Sequence, residues 1–251
     1  MDLRRIEQTA RKTALSVGKM LLEMQPRATA LAQSYKDFVT DADLKAEEMI
    51  ARELWQEFPA IPMYAEEGGG VASTKGPLWV IDPIDGTVNF FRQDDHYGVS
   101  IAFVMDGETQ VGVVYFPGKK ILLQATADTI PVAGVNKHGD MKTAQVWIDW
   151  NKGDSSKVLE AVKSLKEATM YPGIRSCCTA GMAAVALGKI EGYVILAPEP
   201  FDFAAMALIV EKHGGKVTQA DGAPWNAFSP SIVASNGVIH QKLLEVINGR
   251  A

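Results

Sequence analysis

Cysteine is nearly absent from the 251 residues, and the two present, Cys177 and Cys178, are adjacent. Adjacent thiols cannot staple distant segments or form a Cys-x-x-Cys metal clip, so a disulfide framework is excluded and reduced thiols in a reducing compartment are expected. Long apolar runs are missing as well. Nothing approaches the roughly 18–20 consecutive apolar residues of a membrane-spanning helix, and the N-terminus mixes charge with apolar residues too early for a signal peptide's core. A cytoplasmic protein with no membrane partner is the expectation. Positive charge is also in short supply, with 25 Lys plus Arg against 30 Asp plus Glu and a net charge of −5, which argues against nucleic acid as a direct partner. The four histidines, His96, His138, His213 and His240, are scattered without ligand spacing and read as structural or solvated.

What is present suffices for a folded core: 47% of residues are hydrophobic and 22% charged. The length fits one large domain or two tightly joined ones, at roughly 100–200 residues per domain. Leu3, Ile6, Ala10, Ala14, Val17, Leu21 and Met24 step by three or four, the stripe of an amphipathic helix that Pro26 follows. Thr40 stands at an N-cap position before a second helix with Ala46, Met49, Ile50 and Leu54 on one face, interrupted at Pro59. Met63 to Ala65 reads as a short strand. From Leu78 the pattern is that of strands (78–82, 98–105, 111–116, 121–125), with turns at Asp106-Gly107 and Pro117-Gly118, an antiparallel meander. The second half alternates: strand 146–150, helix 156–168, a short helix from Thr179, strand 193–196, a helix from Asp202 closed by Gly214-Gly215, strands 216–219 and 232–235, and a last helix from Val238. This predicts an α+β architecture with mixed antiparallel and parallel sheets between helical layers, in two tightly joined halves, 1–135 and 136–251.

The most informative stretch is Trp79-Val80-Ile81-Asp82-Pro83-Ile84-Asp85-Gly86-Thr87-Val88-Asn89-Phe90. The residue before a proline is held extended, so Asp82 is expected to end the strand and residues 83–85 to turn back, with Gly86 free to take positive φ. Two hard oxygen ligands then converge, a donor set that suits Mg²⁺ or Mn²⁺ rather than Zn²⁺ or copper. A short helix beginning at Thr87 would offer free amides to a phosphate. Each acidic element also has a plain structural reading. Asp-x-x-Asp-Gly makes an Asx turn, Glu66-Glu67 before Gly68-Gly69-Gly70 a flexible surface turn, Asp202 a helix-start acid, and Asp43, three after Thr40, a capping-box acid. The cysteines and Met20, Met24 and Met206 read as packing residues. Lys36 would be either a counter-charge near the site or a solvated lysine.

Taken in order, Val39-Thr40-Asp41-Ala42-Asp43, Ala65-Glu66-Glu67, Asp82-Pro83-Ile84-Asp85-Gly86-Thr87-Val88-Asn89-Phe90, Gly173-Ile174-Arg175-Ser176 and Phe201-Asp202-Phe203-Ala204-Ala205 resemble the signature segments of the inositol monophosphatase family. These belong to the lithium-sensitive, magnesium-dependent sugar phosphatases. The resemblance implies a multilayer αβαβα sandwich, two or three Mg²⁺ per site with Mn²⁺ possible, and a homodimer. It implies that Glu66, Asp82 and the Ile84 carbonyl hold one metal, and that Asp82, Asp85 and Asp202 hold a second. Asp43, Thr87 and Glu66 would be the catalytic set, with Thr87 and Asp43 orienting and deprotonating the attacking water. Asp85, Gly86, Thr87, Cys178, Ala180, Ile195 and Asp202 would face the substrate.

Three positions depart from the family pattern, one of them Phe201, where the family often has Trp. Relatives that favour inositol phosphates carry a hydroxyl-binding acid seven residues before the last metal-site Asp, and here that position is Ile195; Cys178 stands where a substrate-facing turn often has glycine. The expected activity is hydrolysis of a small phosphorylated metabolite, an inositol monophosphate-like or sugar phosphate. The alternatives are a 3′(2′),5′-bisphosphate nucleotidase, a histidinol-phosphate phosphatase or, in another class, a macromolecular adaptor.

Overall fold

The computed structural model describes residues 1–33, 38–70, 72–151 and 155–249. Helices α1 (Leu3–Met24) and α2 (Asp41–Glu57) form the first layer, with a hairpin of β1 (Ala30–Gln33) and β2 (Phe38–Thr40) between them in the chain. The second layer is a six-stranded sheet built from β3 (Met63–Ala65), β4 (Gly69–Gly70), β5 (Pro77–Asp85), β6 (Gly98–Met105), β7 (Glu108–Phe116) and β8 (Ile121–Thr126). Its order is β4-β3-β5-β6-β7-β8, antiparallel except for the β3–β5 pair. The short helix α3 (Thr87–Phe91) leaves the end of β5.

Helices α5 (Cys178–Ala186) and α6 (Pro200–Lys212) make the third layer. Beneath them lies a four-stranded sheet of β9 (Val146–Trp150), β10 (Gly192–Leu196), β11 (Lys216–Thr218) and β12 (Ser231–Ser235), ordered β11-β12-β10-β9, with β9 and β10 parallel. Helices α4 (Ser155–Ala168) and α7 (His240–Ile247) close its outer face, so the five layers run α, β, α, β, α. No helix among the described residues is long and apolar enough to cross a membrane.

Period-two alternation builds the two inner interfaces, because successive strand residues face opposite sides. Trp79, Ile81, Ile101, Phe103, Val111 and Val113 turn toward α1 and α2, while Leu78, Val80, Ala102, Val104 and Val114 turn toward α5 and α6. The middle cluster is the largest and includes both Leu78 from β5 and Ala234 from β12. Close approach is set by glycine at one point in particular: a Cβ on Gly112 of β7 would collide with the Ala205 carbonyl of α6. The Asp106-Gly107 turn has φ of 51° and 85°, the left-handed pair that matches strand twist in a tight hairpin.

Several expectations need correction. The strand expected to end at Asp82 continues to Asp85. The three glycines expected to be a flexible loop include the edge strand β4, paired Tyr64↔Gly70 and Ala65↔Gly69. The amides of Glu67 and Gly68 are held by the two carboxylate oxygens of Glu47 on α2. Gly70 sits at φ 104°, where a Cβ would meet the Met63 carbonyl, so the pairing itself demands glycine. The β1–β2 hairpin has no counterpart in the sequence pattern, since Ala30–Gln33 lacks β-branched residues.

His240 is 1% exposed, with Ser235 Oγ 2.8 Å from Nδ1 and Thr218 Oγ1 2.9 Å from Nε2. A neutral ring satisfies both hydroxyls by donating at one nitrogen and accepting at the other. Burial, and then the charge of Lys216, push its pKa down to about 4. A folded value below the unfolded one means that stability is complete above the unfolded pKa and is lost as pH falls through the window down to about 4. Urea unfolding of His240→Gln is expected to lose about 2 kcal/mol less than the wild type between pH 7 and 4.5. Identical pH slopes would show that His240 does not titrate on unfolding.

Candidate functional site

The site begins with a bulge. Asp82 pairs with Ser100 and Asp85 with Gly98, so three steps along β5 match two along β6. Pro83 has no N–H to give the ladder, and the Ile84 N–H turns aside to Asp82 Oδ1 at 3.0 Å. In a regular strand residues three apart face opposite sides, and one inserted residue cancels that alternation. Asp82 and Asp85 therefore line the same cavity, of about 390 Å³, together with Glu66, Asp202, Ile84, Gly86 and Thr87.

Neighbouring elements supply the other acids. Ala65 pairs with Ile81 in the parallel β3–β5 ladder and the Glu66 N–H donates to the Ile81 carbonyl, which brings Glu66 beside Asp82. Asp202 occupies the third position of α6, where its Oδ2 accepts the Glu199 N–H at 2.8 Å and the Asn151 side-chain amide at 3.4 Å. It is both the helix-start acid and part of the cavity wall.

Asp43 has the same double character. It is fully buried in the capping box of α2, where its Oδ2 accepts the Thr40 N–H at 2.8 Å and the Thr40 hydroxyl at 2.6 Å. Its other oxygen, Oδ1, lies 3.1 Å from Thr87 Oγ1, which is also 3.0 Å from the Ile84 carbonyl. The single hydroxyl proton thus serves one of two acceptors at a time. Thr87 reaches this position because Gly86 takes φ 89°, and a side chain on Gly86 would press on the His96 carbonyl at 2.8 Å. Asp43 itself does not line the cavity and meets it through Thr87.

Asp85 is anchored from below by the start of α5. The Thr179 N–H and hydroxyl and the Cys177 thiol donate to Oδ2, and the Cys178 N–H donates to Oδ1 at 3.2 Å. Orphan amides at a helix start favour an anion there. The cysteines thus do more than pack: Cys177 touches Asp85 and Cys178 lines the cavity. Burial raises both thiols well above their ordinary pKa, so they are uncharged.

Of the other expected residues, Ile195 lines the cavity, whereas Ala180, two residues beyond Cys178 in α5, faces a separate pocket with Phe116 and Trp147. Lys36 lies outside the described residues. Asp149 and Glu47 were not read as site residues from the sequence. Asp149 lines the cavity near the C-terminal end of β9, a position that ligands favour in parallel sheets, and this was its available signal.

Among the described residues the cluster is electrostatically uncompensated. No Lys, Arg or His is among the described residues lining the cavity. Burial, followed by the charge of Glu66, raises Asp82 well above the carboxylate range, and burial followed by the Asp85 charge raises Asp202 to about 7. Glu66, which lines the cavity and keeps part of its surface exposed, is raised to about 8, first by desolvation and then by the charge of Asp202. Burial raises Asp85 and Asp43 too, opposed in each by the hydrogen bonds described above. A patch of oxygen-only acids without a counter-cation fits one or more hard divalent cations.

The profile of the Inositol monophosphatase family matches residues 2–250, and the chain belongs to this family of metal-dependent phosphatases. Over 218 residues it is 31% identical to the fructose-1,6-bisphosphatase/inositol-1-monophosphatase of Thermotoga maritima, covering 85% of this chain and 84% of that one. Over 250 residues it is 30% identical to the Nus factor SuhB of Escherichia coli, covering 93% and 92%. The solved structure of a Thermotoga maritima IMPase superposes with a TM-score of 0.84 at 29% identity over 96% of each chain.

The raised acids make a sign-specific prediction. Their folded pKa values lie above the unfolded ones, so the metal-free protein is most stable where they are protonated and loses stability as pH rises through about 7, the value for Asp202. The melting temperature of chelator-treated protein should fall between pH 6 and 8, and millimolar Mg²⁺ should raise it more at pH 8 than at pH 6. A Mg²⁺ effect that is equal at both would separate cation binding from these carboxylates.

Proposed function

We propose that the protein is a Mg²⁺-dependent phosphomonoesterase acting on a small phosphorylated metabolite. The observation that supports this best is the Thr87–Asp43 pair, 3.1 Å apart, beside four acids with no counter-cation among the described residues that line the cavity. In this reading Glu66, Asp82 and the Ile84 carbonyl hold one cation, and Asp82, Asp85 and Asp202 hold another, with Mn²⁺ able to substitute. Bound cations would neutralise the phosphate oxygens and activate both the attacking and the leaving oxygen.

The chain's own residues do the rest. Thr87 Oγ takes a proton from the attacking water as it passes its own proton to Asp43 Oδ1, whose buried carboxyl has a raised proton affinity. The fixed amides around Gly86 and Thr87 orient the phosphate, and the loop bearing Glu66 is steadied by Glu47. Ile195 offers no hydrogen-bond acceptor, which counts against inositol itself as the natural substrate. A homodimer in the cytoplasm, without direct nucleic-acid or membrane partners, completes the proposal. A second reading, as a macromolecular adaptor, is favoured by the likeness to a relative named a Nus factor.

Phosphate release by chelator-treated protein, with and without Mg²⁺, over inositol 1-phosphate, fructose 1,6-bisphosphate, histidinol phosphate and 3′-phosphoadenosine 5′-phosphate decides between the two. Release that depends on Mg²⁺ is expected, and none from folded protein would favour the adaptor. Asp85→Asn or Asp202→Asn is expected to abolish turnover with the fold retained, and Asp202→Asn, whose amide oxygen can still accept the Glu199 N–H while an unfavourable charge is removed, should leave the metal-free melting temperature equal or higher; near-normal turnover would remove the second cation site. Thr87→Ala should lower kcat by about 10²–10⁴ with Mg²⁺ affinity changed far less, and an unchanged kcat would end its role in handling the proton.

A further inference from the structure

We propose that Asp149 is the specificity-determining acceptor for a hydroxyl group on the organic part of the substrate, so that the site takes a polyol phosphate in preference to an ester without hydroxyls. This inference rests on the phosphatase reading above.

The cavity has two unlike sides. One carries Glu66, Asp82, Asp85 and Asp202; the other is formed by the ends of the parallel strands β9 and β10 and the segment before α5. Asp149 and Ile195 are register partners across β9 and β10, so an acid and an aliphatic side chain stand next to each other on this second side. Val88, Trp150 and Ile174 add apolar surface for the carbon framework of a ligand. A phosphate would be repelled by Asp149 and drawn to the cations that Glu66, Asp82, Asp85 and Asp202 would hold on the first side, which would leave the organic part facing Asp149.

Counting acceptor sites shows what Asp149 still needs. Its Oδ1 accepts the Arg175 N–H at 3.1 Å and the Ser176 N–H at 2.9 Å, which fills both lone pairs. Its Oδ2 accepts the Tyr193 hydroxyl at 3.1 Å, leaving one lone pair. Among the described residues no cation completes the set, because Arg175 gives only its backbone while its guanidinium lies 4.7 Å over the Trp147 ring. Asp149 is only 6% exposed, yet it borders the cavity, so a hydroxyl donated from within the cavity restores what burial removed. Burial raises its pKa, whereas the three donors hold it down, and those fixed donors pre-orient the free lone pair.

The test is steady-state phosphate release with Mg²⁺ from wild type and Asp149→Asn. The substrates are phenyl phosphate, inositol 1-phosphate and its singly deoxyfluorinated analogues. In the wild type, fluorine in place of one particular hydroxyl is expected to lower kcat/KM about ten- to a hundredfold, mainly through KM, since fluorine cannot donate. Asp149→Asn should reduce kcat/KM for the polyol at least tenfold more than for phenyl phosphate, and should bring the hydroxyl-to-fluorine ratio at that position toward one, because an amide NH₂ can donate to fluorine. Equal losses on both substrates, or an unchanged hydroxyl-to-fluorine ratio, would overturn the proposal and leave Asp149 as a support for residues 175 and 176. Should Asp149→Asn lack a cooperative melting transition, the wild-type ratios decide alone, and ratios near one at every position overturn it. A wild type that releases no phosphate from any of these esters overturns the phosphatase reading and this proposal together, whereas release with flat ratios overturns this proposal only.

Discussion

One inserted residue in β5 is the constraint from which the site follows. Without it, Asp82 and Asp85 would point to opposite faces of the sheet, one toward α1 and α2 and the other toward α5 and α6. The bulge opposite Ser100 and Gly98 turns both into one cavity, and Pro83 secures it because a proline cannot pair in a central ladder. Every other acid is then delivered to that point by a separate element: Glu66 by the parallel β3, Asp202 by the first turn of α6, and Asp43 by the first turn of α2 through Thr87.

Holding these acids together is unfavourable, and the fold opposes the repulsion with oriented donors. The start of α5 is spent on Asp85, the start of α6 on Asp202 and the capping box of α2 on Asp43. Helix starts favour negative charge by their amides and dipole. The donors fill one oxygen of Asp202, hold both oxygens of Asp85 and commit Asp43 to Thr40 and Thr87, so the assembly is complete as a fold while its acids lack, among the described residues, a positive charge to balance them.

Much of this was legible in the sequence, for physical reasons. The stripe from Leu3 to Met24 and the alternation through 98–116 reproduce as α1, β6 and β7, because burial on one face imposes its period on the chain. The acids Glu66, Asp82, Asp85 and Asp202 and the Thr87 beside them could be singled out since each sits at a strand end, a helix start or a glycine turn. Other features depend on contacts remote in sequence and leave no local pattern. Glu47 lies on a charged helix face, and only the fold brings its carboxylate to the Glu67 and Gly68 amides. Asp149 lies one residue before the end of an ordinary strand, and only the pairing of β9 with β10 sets it beside Ile195 at the cavity. The bulge was misread as a turn because proline and glycine announce both in the same way.

Gly112 extends the site's reach into the body of the protein. Its missing side chain lets the backbone of α6 rest directly on β7 at Ala205, one helical turn from Asp202. The gap between Asp202 and the acids of β5 is therefore gauged by backbone against backbone, without the slack that flexible side chains would introduce. The helix acts as a fixed jaw, with the sheet as its anvil. A protein built this way can vary the walls of its cavity freely, at positions such as Ile195 and Cys178, while the distance across which its acids face one another stays the same.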